Sequence, residues 1–139
     1  PLLSRMVPID GQNYLDGGVA DSIPLSKSMA DGNEKHVLIL TQMASYRKQP
    51  NRMMPAIRAR YRRWPKLVQA LGDRHIRYNR TLEQVARQEA AGNAFVLRPQ
   101  KPSGIGRIEK DPQKLRALYQ AGYEEAKRRW PELERFLNE

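Results

Sequence analysis

"YLDGGVADSIPL" occupies residues 14–25 and decides how the rest of the chain is understood. Asp16 follows an apolar pair and precedes Gly17 and Gly18. An aspartate before glycine is ordinary turn chemistry, because its side chain can bond the backbone two residues on. The same arrangement can also hold a carboxylate on a tight, exposed loop, where it can serve as a base. The flanking residues set the context. Upstream, Met6-Val7-Pro8-Ile9, Asp10-Gly11-Gln12-Asn13 and Tyr14-Leu15 spell strand, turn, strand, since Asp-Gly tolerates the positive φ of a hairpin turn. Downstream, Pro24 suits the first turn of a helix running to about Ala30, with Ser22 as its N-cap and Gly32 as its stop. "HVLILTQ" (residues 36–42) then reads as a strand covered on both faces.

Beyond that point the pattern is mostly helical. "NRMMPAIRARYRRW" places Met54, Ile57, Tyr61 and Trp64 at helical spacing, with arginines on the other faces. Pro65 breaks that helix and opens "PKLVQAL", which Gly72 closes. Residues 73–91 form another amphipathic stretch through Ile76, Leu82, Val85 and Ala86. "AFVLRP" (residues 94–99) is a second buried strand, and Asp111-Pro112 caps and starts a long helix. That helix carries Leu115, Leu118, Tyr119, Gly122, Ala126 and Trp130 along one stripe. Strands alternating with helices predict a layered α/β arrangement. "RRWPKL" at residues 62–67 and "RRWPEL" at 128–133 echo each other, and a helix–Pro–helix joint used twice accounts for both better than a repeat does.

A chain of 139 residues suits one domain, and 40% hydrophobic residues predict folding. Without cysteine, disulfides and thiolate metal sites are excluded, which fits a reducing compartment and a cytoplasmic location. No apolar run approaches the roughly 20 residues a bilayer span needs. The start at Pro1-Leu2-Leu3 lacks Met and has no signal-peptide pattern, so a fragment is expected.

Charge is unevenly spread. Residues 1–46 carry Arg5, Lys27 and Lys35 against five acids, and residues 88–139 carry ten bases against eight acids. Residues 47–87 hold twelve Lys or Arg against Asp73 and Glu83, a net of +10 that equals the charge of the whole chain. The excess is a local feature.

The block YLDGGVADSIPL, followed by a helix and then HVLILTQ, resembles the aspartate block of patatin-like phospholipases and acyl hydrolases. There an Asp-Gly-Gly or Asp-Gly-Ala turn follows a strand, and a proline-started helix and a buried strand come next. Residues 94–123 are similar to the C-terminal extension of bacterial members. The resemblance implies the C-terminal part of a three-layer α/β/α fold: residues 1–46 would end the catalytic domain, and residues 47–139 would form a basic helical extension with one further strand at 94–99. It implies a serine–aspartate dyad acting on lipid acyl esters, with Asp16 as base and Gly17 and Gly18 shaping its turn. No cofactor is implied. Ser22 stands where many members have Asn. The family's nucleophile sits in a Gly-x-Ser-x-Gly elbow behind a glycine-rich oxyanion loop, both N-terminal to the aspartate. Neither occurs here; "PSGIG" (residues 102–106) lacks the first glycine. The serine is therefore expected from an N-terminal catalytic segment of the same protein, and these 139 residues alone are expected to be inactive.

Other candidates are weaker. His36 begins a strand and His75 opens an arginine-rich helix, both ordinary structural positions. Asp10, Asp16 and Asp21 are divided by a turn and predict no metal site. "KPSGIG" (residues 101–106) lacks the Gly-Lys-Ser/Thr end of a phosphate loop and reads as a bend between strand and helix. The basic block is either a solvated face or a contact surface. As a contact surface, Arg58, Arg62, Arg63 and Trp64, with Met53, Met54 and Tyr61, suit an anionic membrane, at whose inner face the protein would be peripheral. A non-enzymatic module binding anionic membrane or nucleic acid through residues 47–87 is the alternative to the hydrolase. No nucleic-acid motif supports the second of those partners.

Overall fold

The computed structural model describes residues 6–102, 104–106 and 109–139. Arg5 and Ser103 lie outside the described residues, so the bend expected over 101–106 is described only on either side of Ser103. The protein is mixed α/β with small sheets, and about 52% of the described residues are helical.

Strands β1 (Val7–Ile9) and β2 (Gln12–Tyr14) pair antiparallel, with Val7 opposite Tyr14 and Ile9 opposite Gln12. Asp10 and Gly11 connect them at φ 49° and 77°, the two left-handed residues that a type I′ hairpin turn requires. Helix α1 (Leu25–Ala30) follows, then β3 (His36–Ile39), α2 (Met54–Arg60), α3 (Pro65–Gly72), α4 (Arg74–Ala90), β4 (Ala94–Leu97) and α5 (Pro112–Asn138). Two compact units divide these elements. The first comprises Pro1–Asp31 and Arg47–Val85, the second Gly32–Tyr46 and Ala86–Glu139, so each draws on sequence from both sides of residue 46.

The first unit is built around Val19, Ile57 and Leu71, with Met54, Tyr61, Leu67 and Ala70 packed against them. Ile57 is 1% exposed, and Met54 and Tyr61, three before and four after it, lie on the same side of α2. Trp64, the fourth member of the expected stripe, is 42% exposed, because α2 ends at Arg60 and the helical register stops before reaching it. Pro65 is the first residue of α3, as its missing N–H favours. Asn79 fastens the segment before α2 to α4, accepting from the Lys48 N–H at 2.8 Å and donating to the Lys48 carbonyl at 3.0 Å. The helical stripe expected over residues 73–91 is buried at Val85, while Ile76 and Ala86 are exposed.

In the second unit β3 and β4 pair in parallel, His36 beside Ala94 and Ile39 beside Leu97. Parallel strands are usually covered on both faces, and that was the expectation for residues 36–42. The strand instead stops at Ile39 and alternates, with His36 and Leu38 buried and Val37 and Ile39 exposed. Neighbouring elements therefore cover one of its faces. β4 is buried at Ala94, Phe95 and Val96 and ends at Leu97, ahead of Pro99, which has no N–H for a ladder. The C-terminal part of α5 packs on it. Phe136 meets Phe95 at 5.9 Å between ring centroids. Arg129 lies over the Phe95 ring at 4.4 Å and donates to the Val96 carbonyl at 2.7 Å. The N-terminal part of the expected α5 stripe is exposed at Leu115, Leu118 and Tyr119, and Trp130 is exposed as well. Asp111 caps α5 by accepting from the Gln113 N–H at 2.9 Å. The proline joint expected at both RRWP sequences occurs only at the first: Pro131 lies inside a continuous α5.

Candidate functional site

Asp16 leaves β2 with φ −47° and ψ 120° and caps a short 3-10 turn, Gly17–Val19. Its Oδ1 accepts from the Gly18 N–H at 2.8 Å, and its carbonyl accepts from the Val19 N–H at 3.0 Å. The carboxylate is exposed. Asp16 Oδ2 has no hydrogen bond among the described residues. One oxygen thus fixes the side chain and the other is open to a donor. Val19 is the buried end of the turn and ties it to Ile57 and Leu71.

Gly17 and Gly18 do different things. Neither has a positive φ, so left-handed backbone freedom, the reason for glycine that the sequence suggests, is not used at either position. A Cβ at Gly18 would lie 3.2 Å from Asp16 Oδ1 and 3.7 Å from Arg74 Nη2. A methyl at Gly18 would therefore press on the carboxylate, which would have to give by a few tenths of an ångström. A Cβ at Gly17 would meet nothing within 4 Å.

Two arginines of α4 brace the turn, and sequence reasoning missed both, since the basic block showed only charge. Ser22 Oγ donates to the Gly18 carbonyl at 2.7 Å and accepts from Arg74 Nη2 at 3.1 Å. Ser22 is accordingly not the N-cap of α1; Pro24 occupies that position without a side-chain bond, and Asp21 accepts from the Ile23 N–H at 3.2 Å. Arg77 Nη2 donates to the Val19 carbonyl at 3.3 Å and to the Ala70 carbonyl at 2.6 Å. The spacing of 74 and 77 puts both guanidinium groups on one side of α4. That i, i+3 pair in an otherwise amphipathic helix is the signal that could have found them.

The other candidates do not join this turn. His36 is 6% exposed in β3, and its N–H bonds the Asn93 carbonyl at 2.9 Å. His75 Nδ1 lies 3.0 Å from the Gly72 carbonyl, a bond local to the α3–α4 junction. No group of three possible metal ligands exists among the described residues. A shallow depression lined by Pro112, Gln113, Arg116, Ala117 and Gln120 belongs to α5 alone and gathers no acid–base or nucleophilic pair.

Arg58, Arg62 and Arg63 are exposed and make no hydrogen bond or ion pair among the described residues. Trp64 meets Tyr61 edge-on at 6.2 Å between centroids, and Met53 is 53% exposed. No described helix is long and apolar enough to cross a membrane.

The molecule is thus a mixed α/β protein with an exposed carboxylate on an arginine-braced turn and a separate basic surface. The family described as "Domain of unknown function (DUF6363)" matches residues 64–138, just over half of the chain, and the chain belongs to that family. The matched span runs from Trp64 through α3, α4, β4 and α5 to Asn138; it includes Arg74 and Arg77 and leaves Asp16 outside. No curated protein and no solved structure matches the chain.

Proposed function

We propose that this chain is part of a patatin-like serine acyl hydrolase, cleaving acyl esters of lipids in the cytoplasm with Asp16 as the base of a Ser–Asp dyad. The serine comes from polypeptide outside these 139 residues, because no Gly-x-Ser-x-Gly elbow occurs within them. The three-layer α/β/α fold of that family belongs to the same proposal. One observation carries it: Asp16 is anchored through Oδ1 and open at Oδ2, on a strand-to-helix turn whose sequence follows the order of the patatin aspartate block.

The chemistry follows from that geometry. Oδ2 accepts the proton as the serine oxygen attacks the ester carbonyl. Collapse of the tetrahedral adduct releases the alcohol, which leaves with the proton held by Asp16. Water then attacks the acyl-enzyme, giving its proton first to Asp16 and then to the departing serine oxygen. The histidine of a conventional triad is omitted, so the carboxylate must be positioned directly. The Gly18 N–H bond orients it, and the carbonyls braced by Ser22 and Arg77 fix the backbone beneath it.

The test is acyl-ester hydrolysis, on short and long chains, by the intact protein and by its Asp16→Ala and Asp16→Asn variants. Loss of turnover of at least a hundredfold in both, with unchanged folding, is the expected result for a missing base. Undiminished hydrolysis by either variant would refute the assignment.

A further inference from the structure

We propose that the outer surface of α2 and of the α2–α3 corner docks on an anionic lipid bilayer, Arg58, Arg62 and Arg63 meeting headgroup phosphates while Met53 and Trp64 enter the interfacial layer. The docking surface goes beyond the hydrolase proposal and does not depend on Asp16.

The sequence supplies its own control. Arg-Arg-Trp-Pro occurs at residues 62–65 and again at 128–131. In the second copy both arginines are neutralised, Arg128 by Glu125 at 2.7 Å and Arg129 by Glu132 at 2.8 Å. In the first copy Arg62 and Arg63 have no such acid among the described residues, and Arg58 likewise has no ion-pair partner among them. Residues 47–87 contain only Asp73 and Glu83 as acids. The same tetrapeptide therefore carries compensated charge in α5 and uncompensated charge beside α2. A planar guanidinium is suited to phosphate oxygens, which it can bond in pairs.

Charge alone would suit any polyanion, and the apolar residues decide between them. Trp64 directly follows Arg62 and Arg63 in the chain and is exposed, and Met53 is exposed at the N-terminal end of α2. An indole with one polar N–H and a flexible thioether suit the headgroup–acyl boundary. Nucleic acid favours aromatic platforms along a groove. Here Tyr61 is half-buried against the Val19–Ile57–Leu71 core, and Tyr78 is covered by Lys48 at 4.6 Å, so neither offers a free ring face beside the arginines.

The intact protein is sedimented with vesicles of phosphatidylcholine alone and of phosphatidylcholine mixed with phosphatidylglycerol, at low and physiological ionic strength. Association with the mixed vesicles only, weakened by salt, is expected. The triple variant Arg58→Gln, Arg62→Gln, Arg63→Gln should bind them about a hundredfold more weakly, at about fivefold per arginine. Arg128→Gln, whose partner is Glu125, should bind as the parent does, and so should Asp16→Ala, which separates failure here from failure of the hydrolase proposal. Tryptophan emission of the intact protein should shift to the blue on adding mixed vesicles, and Trp64→Phe should remove the Trp64 part of that shift. Equal binding to neutral vesicles, retained binding by the triple variant, equal loss in Arg128→Gln, an emission shift that Trp64→Phe leaves unchanged, or DNA displacing the protein from vesicles would each overturn the proposal.

Discussion

Alanine at Gly17 and alanine at Gly18 should have opposite effects, although the two glycines are adjacent and look equivalent in the sequence. At Gly17 the new methyl meets nothing within 4 Å and the backbone is not left-handed. The variant loses no contact and narrows the unfolded ensemble, so Gly17→Ala should stabilise by about 0.4–1 kcal/mol. Gly18→Ala gains the same entropic term, but its Cβ would sit 3.2 Å from Asp16 Oδ1. The carboxylate must give by a few tenths of an ångström, and the 2.8 Å bond from the Gly18 N–H is strained or lost as it does. A hydrogen bond to a charged group contributes about 1.5–3 kcal/mol, and the exposure of Asp16 argues for the lower end. The balance is a net destabilisation of about 1 kcal/mol, with the carboxylate displaced. Urea unfolding of both variants reads the first effect, and acyl-ester turnover by the intact protein reads the second. Turnover should fall at least tenfold in Gly18→Ala and stay near the parental rate in Gly17→Ala. Equal destabilisation by the two alanines would refute the role given to Gly18.

Ile57→Ala removes a residue that is 1% exposed in the first unit's core, and should cost about 2–5 kcal/mol in chemical denaturation. Arg77→Met leaves the Val19 and Ala70 carbonyls without their guanidinium donor; a loss of about 1.5–3 kcal/mol is expected, together with reduced turnover. Pro131→Ala restores an N–H that can bond the Lys127 carbonyl within α5, and should raise the stability of that helix by roughly 1–3 kcal/mol in thermal melts followed by circular dichroism. The hydrogen bonds and charge of Arg128 hold the Glu125 carboxyl below the usual carboxylate range. Its folded pKa is depressed, so its stabilising contribution is complete above the ordinary carboxylate pKa and disappears as pH falls through the folded value. Helicity should therefore decline on acidification below about pH 4.5, less steeply in Arg128→Gln; identical profiles would count against the pair.

Local chemistry with a strict geometric requirement was legible in the sequence. Asp10-Gly11 must lie in a left-handed turn for the hairpin to close, and it does. Asp111-Pro112 can only start a helix in one way, and Pro65 opens α3 for the same reason. What failed to show was which neighbours would cover a face. Val37 and Ile39 have the composition of a buried strand, yet they are exposed because burial depends on elements distant in sequence. Pro131 repeats the local sequence of Pro65 inside a continuous helix, where Arg129, bonded to Val96, and Phe136, packed on Phe95, tie both sides of the proline to β4. Tertiary contacts there override a local break signal.

The basic block shows the same limit from the functional side. Counted as charge, residues 47–87 are uniform, and nothing in the count separates one arginine from another. Their donors separate them. Arg74 and Arg77 direct their guanidinium groups at Ser22 and at the carbonyls of Val19 and Ala70, where five rigid donors are worth more than a mobile ammonium. Their Nε atoms are buried with no hydrogen-bond partner among the described residues, so their hydrogen bonds there come from the terminal nitrogens. Arg58, Arg62 and Arg63 make no such bonds among the described residues. Salt should therefore act on the two sets differently: raising ionic strength screens the exposed set and weakens any anionic surface contact, but leaves bonds to neutral carbonyls nearly unchanged. An Asp16 turn that loosened in step with membrane release would mean that α4 senses the same screening, and the separation between brace and docking surface would fail.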